Sequence, residues 1–118
     1  MQNNRNNGDA YAIILAAGKG SRFGAAVNKV LLPLRGAAVL NHSCLAFESL
    51  AEIKGYIVMA APAEIDQVRK LLPEDEYSKL MAVVAGGDSR TDSVRAGVAW
   101  FSANELPSSS IVLIHDGA

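Results

Sequence analysis

The stretch LAAGKGSRFG (15–24) places Gly18, Gly20 and Gly24 around Lys19 and Arg22, and Lys29 follows in NKVLLPL (28–34). Glycines let backbone N–H groups turn toward one point and approach a ligand closely. A cradle of such donors with a guanidinium and an ammonium at its rim suits a polyphosphate, whose oxygens take backbone donors and cations together. Two later segments, GGDSRTDS (86–93) and HDGA (115–118), concentrate glycine and charge again and supply the carboxylates Asp88 and Asp116. The first turn is not a P-loop, since no G-x-x-x-x-G-K-[ST] occurs. It also misses the dinucleotide fingerprint, because its glycines read G-x-G-x-x-x-G and no long helix follows at once. By itself such a turn also fits a plain structural loop, the less favoured of the two readings.

The elements that must position these residues are legible as apolar runs: YAIILA (11–16), GYIVMAA (55–61), LMAVVA (80–85) and SIVLIH (110–115). Each is continuous rather than alternating, which predicts strands covered on both faces, as in a parallel sheet flanked by helices. Helical spacing recurs between them. In 37–50, Val39, Ser43, Ala46, Phe47 and Leu50 share a face; in 62–72, Pro62 suits a first turn, Ile65, Val68 and Leu72 form a stripe, and Pro73 stops it. In 91–103, Val94, Val98 and Phe101 repeat the pattern. The alternation predicts an α/β fold of three layers with right-handed crossovers. Ligands in such sheets bind beyond the carboxyl ends of the strands. That rule selects the turn after the first strand, AGGDSRTDS after the third and HDGA after the fourth, the same segments that are rich in glycine and charge.

The string L-A-A-G-x-G-x-R-x-G followed by N-K-x-L-x-P-L, behind a buried first strand, resembles the signature of the nucleotidyltransferases that activate sugar and polyol phosphates. GGDSRTDSVRAG (86–97) followed by VLIHDGA (112–118) looks more narrowly like the 2-C-methyl-D-erythritol 4-phosphate cytidylyltransferase family of the non-mevalonate isoprenoid pathway. The likeness runs from Ala12 to the last residue. It implies a Rossmann-like, glycosyltransferase-A-like nucleotidyltransferase fold with a mainly parallel sheet. It also implies transfer of CMP from CTP to methylerythritol phosphate, with magnesium, and release of pyrophosphate. By the same resemblance Ala16, Ala17 and Gly18 lie against the nucleotide, in the turn that also holds Gly20. Arg22 and Lys29 match the cations that stabilise the transition state, Gly87, Asp88 and Ser93 match positions beside cytosine and ribose, and Asp116 matches the carboxylate near the metal and the α-phosphate.

Elementary chemistry agrees with such roles. When a phosphate oxygen attacks the α-phosphorus of a nucleoside triphosphate, two anions are brought together and charge accumulates on the five-coordinate centre and the departing pyrophosphate. Fixed cations and a metal meet both problems, so no covalent protein nucleophile is required. Arg22 can grip two oxygens as a planar fork, whereas Lys29 is a movable point charge. Magnesium needs only one or two carboxylates, so Asp116 alone suffices in principle. Structural alternatives stand beside these roles. Asp88 is read either as a nucleotide contact or as a turn residue or helix N-cap, and Ser93 as a contact or a structural serine. Arg90 and Arg95 are either solvated helix charges or helpers at an anionic site, and Lys19 and Asp92 stay unassigned. His42 and Cys44 fall on different helical faces, which argues against a metal pair, and His42 and His115 are both assigned structural roles.

Half of the 118 residues are hydrophobic, 19% are charged and the net charge is −1, which describes a globular chain without the bulk electrostatic footprint of a nucleic-acid or membrane binder. Cys44 is the only cysteine, which fits a reducing compartment. The polar opening MQNNRNNGDA (1–10) reads as a disordered tail ahead of a unit spanning 11–118, and no apolar run approaches the roughly 20 residues of a membrane span. The expectation is a cytoplasmic protein, or a stromal one in a plastid source. Family members continue past the HDGA motif for about as much sequence again, including an arm that pairs two subunits. The chain therefore reads as an N-terminal half with little turnover of its own, IVLI (111–114) as an exposed edge strand, and the full-length family as homodimeric. The neighbouring readings are a ribitol 5-phosphate cytidylyltransferase or other sugar-phosphate nucleotidyltransferase, and a non-catalytic nucleotide-binding module.

Overall fold

Three of the apolar runs needed only small changes of boundary, and one none, to become the strands β1 (Ala10–Leu15), β4 (Ile53–Ala60), β5 (Leu80–Ala85) and β6 (Ile111–Asp116) of a single parallel sheet ordered β5-β4-β1-β6. The computed structural model describes residues 9–16, 33–34, 37–106 and 110–116, with 33–34 and 37–38 described by backbone alone. Ala10, expected in the polar tail, instead opens β1. Its register partners are Ile53 on one side and Ile111 on the other, and the Ile111 N–H donates to the Asp9 carbonyl at 2.8 Å. The rest of the expected tail lies outside the described residues.

The central strands are covered on both faces, as continuous apolar character predicts. Ala12, Ile14 and Ala16 of the first run and Tyr56, Val58 and Ala60 of β4 face one way, into a cluster with Leu40, Cys44, Phe47, Val68 and Leu72. Ile13, Leu15, Ile57 and Met59 face the other way, against Phe101 and its neighbours Val94 and Trp100. Helices α1 (Val39–Glu48) and α2 (Ile65–Leu71) thus cover one face and α3 (Arg90–Ala103) the other, which makes the three layers. Met81 on β5 is exposed, which departs from the expectation, and β6 exposes Ile111 (54%), Leu113 and Ile114; among the described residues each of these strands has a sheet neighbour on one side only. The edge position of β6 is as the sequence suggested.

Two helices bury faces turned from those their spacing suggests, although Phe47 and Phe101 are buried as expected and Val94 packs against the core. The buried stripe of α1 is Leu40, Cys44 and Phe47, whereas Ala46 and Leu50 are exposed and Val39 and Ser43 only partly covered. Both sets step by four and three residues, and the 40–44–47 set is the one that packs into the cluster with the sheet. On α3 the buried positions are Ser93, Gly97 and Phe101, while Val98 is exposed. Gly97 lies so close to β1 that a Cβ there would fall 2.8 Å from Ile13 Cδ1. The Pro62 prediction holds as a 3-10 turn (Pro62–Glu64) leading into α2, with Val68 and Leu72 buried. Residues 37–38, expected in a helix, form instead the short strand β3 (Ala37–Ala38), antiparallel to β2 (Pro33–Leu34).

Polar side chains lock α1 in place at the other end of the layer. Asn41 Nδ2 donates to the Leu71 carbonyl at 2.7 Å and to the Tyr77 hydroxyl oxygen at 2.8 Å. The Glu48 carboxylate accepts from the Tyr56 hydroxyl (2.8 Å) and from the Lys79 N–H (2.9 Å). Burial pushes the Cys44 thiol up to about 12 and also raises Tyr56, with Cys44 and Glu48 reinforcing the shift at Tyr56. Cys44 is therefore an inert core residue near neutrality.

Candidate functional site

The register aligns the carboxyl ends of the strands: Leu15 pairs with Asp116 and with Met59, and Ala60 pairs with Ala85. The sheet end selected by the strand-end rule is thus a real edge, and the 86–89 loop and Asp116 both leave from it. Ala16 continues the ladder just past β1. Its N–H donates to the Met59 carbonyl at 2.8 Å and its side chain is buried in the α1-side cluster. Ala16 therefore braces the start of the glycine-rich turn from within the core. Ala17, Gly18, Gly20, Arg22 and Lys29 lie outside the described residues, as do Lys19 and Gly24.

The second segment is built in detail. The Gly86 N–H donates to the Ala60 carbonyl at 2.8 Å, extending the β4–β5 ladder by one bond. The chain then folds back over the first turn of α3. Ser89 is the N-cap, with extended backbone and its Oγ accepting from the Asp92 N–H at 3.0 Å. That satisfies one of the orphan donors of a helix start. Asp88 is accordingly not the cap, and its carboxylate is left exposed on the loop. Ser93 is only 3% exposed, and its Oγ accepts from the Gly87 N–H at 3.0 Å. The serine holds the loop down on the helix, and a hydroxyl that accepts in this way still carries its own proton to donate. Gly87 must lack a side chain, since a Cβ would fall 2.4 Å from Asp92 Cβ.

Asp116 closes β6 and is joined to this unit by a residue that sequence reasoning left unranked. Arg90, in the first turn of α3, donates from Nε to Asp116 Oδ1 at 3.2 Å; the two side chains are 61% and 67% exposed. Arg95 is exposed further along the helix. The fold therefore brings Gly87, Asp88, Ser93 and Asp116 to one end of the sheet, with Arg90 as the link. The Ser89 cap was available in the sequence as Ser-x-x-Asp ahead of a helical pattern. Arg90 could have been singled out as the cation nearest that cap. Among the described residues no cluster of three or more His, Cys, Asp or Glu side chains could hold a metal. His42 is exposed on α1 while Cys44 is buried, and the His115 ring meets Phe47 edge-on at 5.3 Å, a packing contact.

Comparison with known proteins places the chain in a family. The family model described as IspD, 2-C-methyl-D-erythritol 4-phosphate cytidylyltransferase, matches residues 10–118. A 2-C-methyl-D-erythritol 4-phosphate cytidylyltransferase of Shouchella clausii is 39% identical over 107 residues, which is 91% of this chain and 44% of the relative. One of Syntrophotalea carbinolica is 41% identical over 109 residues, 92% of this chain and 46% of the relative. A crystal structure of a 4-diphosphocytidyl-2C-methyl-D-erythritol synthase superposes with a TM-score of 0.72 at 23% identity, covering 95% of this chain and 47% of that one. Its counterpart from Anaerococcus prevotii superposes with a TM-score of 0.68 at 23% identity, covering 95% and 44%. The chain thus spans slightly under half the length of the relatives it matches, and its α/β fold is that of these nucleotidyltransferase structures. With the parallel sheet, the capped 86–89 loop and the match over 10–118 in agreement, the chain belongs to the IspD family of 2-C-methyl-D-erythritol 4-phosphate cytidylyltransferases.

Proposed function

We propose that this chain supplies the nucleotide side of a cytidylyltransferase, in which CMP passes from CTP to 2-C-methyl-D-erythritol 4-phosphate and pyrophosphate leaves. The observation that carries the reading is the convergence of the 86–89 loop, Ser93 and Asp116 on the carboxyl end of the sheet, within a chain of this family. Gly87 and Asp88 offer a flat, polar loop edge to the base and ribose, and Ser93 keeps that edge in place. Arg22 and Lys29 are assigned to the phosphates, where a guanidinium fork and an ammonium counter the charge that builds on the α-phosphorus and the leaving group. Removing either group costs about 10²–10³ in rate if it acts as an oxyanion donor does.

Asp116 is the residue that would hold magnesium. Its carboxylate is exposed at a strand end, and a cation that keeps most of its waters and takes other ligands from phosphate needs no further protein carboxylate. When bound, the metal supplies charge neutralisation along the triphosphate. The reading extends to a homodimeric, cytoplasmic enzyme; among the described residues no helix is long and apolar enough to cross a membrane.

Calorimetry of CTP with magnesium against the chain and its Arg22→Ala and Lys29→Ala variants tests the proposal. Binding that weakens in both variants is expected. CTP affinity unchanged in both would refute the assignment, and vigorous turnover by residues 1–118 would refute the restriction to the nucleotide side.

A further inference from the structure

We propose that Arg90 is a positioning residue for Asp116: in the absence of nucleotide its guanidinium holds that carboxylate, and a divalent cation must displace it to bind there. The inference rests on the reading of Asp116 as the metal-holding carboxylate.

The placement of Arg90 is costly unless it has a partner. It stands one residue after the N-cap of a 14-residue helix, where the helix dipole disfavours positive charge. Asp92 in the same turn is the one carboxylate of the helix. The Arg90 guanidinium instead leaves the helix and meets Asp116 at 3.2 Å, on the outer strand next to β1. The pair spans the mouth between the 86–89 loop and the end of β6, where the nucleotide is proposed to sit.

Two consequences follow from its geometry. The bond uses Nε, so the carboxylate oxygen Oδ1 is occupied on the side that faces α3. Both side chains are more than half exposed, so the pair is weak enough to open when a stronger cation arrives. Arg90 therefore keeps the carboxylate oriented while the site is empty and competes with the metal for it. Once displaced, the guanidinium is left beside the incoming triphosphate, where an anion is the natural replacement partner.

The test titrates Mn2+, as a paramagnetic probe, into the 118-residue chain without nucleotide and follows broadening of the amide signals of residues 114–116. The midpoint for Arg90→Gln is expected about two- to fivefold below wild type, the range set by an exposed ion pair. Arg90→Lys, which keeps the charge, should stay closer to wild type, and Asp116→Asn should abolish broadening at these amides with either residue at 90. Equal midpoints for wild type and Arg90→Gln would overturn the inference while leaving Asp116 as the metal carboxylate. A lower thermal midpoint for Arg90→Gln with an unmoved Mn2+ midpoint would show a purely structural pair and overturn it likewise. An Arg90→Gln effect that persists in the Asp116→Asn background also overturns it. No broadening at 114–116 in wild type or Arg90→Gln would overturn the inference, since Asp116 then takes no cation without phosphate ligands, and would leave the metal reading with CTP standing.

Discussion

Substituting Gly87 by alanine perturbs the loop through one contact whose size can be worked from the structure. The added Cβ would stand 2.4 Å from Asp92 Cβ and 3.3 Å from the Asp92 carbonyl carbon. Non-bonded carbons settle at about 3.5–4.0 Å, so the two must separate by about 1 Å or more. Asp92 sits in the capped first turn of α3 and cannot give way cheaply, so the loop retreats. The Gly87–Ser93 hydrogen bond, now 3.0 Å, then stretches to about 4 Å and is lost. Losing it costs about 1 kcal/mol. For 118 residues the unfolding entropy is about 0.25 kcal/mol/K, so the thermal midpoint should fall by about 4 °C. If the loop edge reads the nucleotide, the same displacement should cost CTP affinity well beyond the stability change, since about 1 Å of misplacement can be worth about 10² in a positioned site. The assay is a double-mutant cycle by thermal or urea unfolding. Asp92→Gly removes the nearest atom and leaves the 3.3 Å contact with the Asp92 carbonyl carbon, so Gly87→Ala should cost clearly less in that background, with a coupling energy of up to about 1 kcal/mol. Additive effects of the two substitutions, or a single variant as stable as wild type, would refute the reasoning.

Three further outcomes are expected. Gly97→Ala should destabilise by about 1–3 kcal/mol through overpacking against Ile13 Cδ1, and Ile13→Val, which deletes that atom, should recover part of the loss in a combined variant measured by denaturant unfolding. Tyr56→Phe should cost about 1–2 kcal/mol in the same assay, because the Glu48 carboxylate loses a 2.8 Å donor while keeping the Lys79 N–H. Stability should be flat through neutrality and decline as pH rises above about 9. The folded state keeps the Cys44 proton up to about 12 whereas the unfolded thiol releases it from its ordinary value of 9.0, so unfolding is favoured across that window by up to about 1.4 kcal/mol per pH unit. Tyr56 adds to the decline from about 10 upward, and Cys44→Ala should make the slope shallower; a pH-independent stability between 9 and 11 would contradict this.

Much of the fold was legible because its signals are local. The continuous apolar character of the runs at 11–16 and 55–61 named the central strands, and Pro62 and Pro73 bracketed the second helix. The strand-end rule alone points to 86–93 and Asp116. The errors arose where several faces of a helix are apolar at once. In 37–50, Leu40 and Cys44 competed with Val39, Ala46 and Leu50, and only contact with Tyr56, Val58 and Ala60 decides which set is inside. Likewise the LMAVVA run read as a fully covered strand, yet Met81 on it is exposed at the sheet edge, whereas the exposure of Leu113 is what IVLI as an edge strand implies.

What the sequence determined by itself is the class of the molecule: an alternating α/β chain, the order of its glycine- and charge-rich turns, and membership of a family carried by GGDSRTDSVRAG and its neighbours. Only the tertiary structure decided how those turns meet. Residue 93 could not be known as the buried hydroxyl that accepts from Gly87, nor residue 90 as the cation that reaches Asp116 across 26 positions of chain. The physical reason is that periodicity and capping report on neighbours along the chain. A loop held at 3.0 Å or an ion pair between helix and strand depends on strand order and register, which arise when separate apolar faces compete for one core.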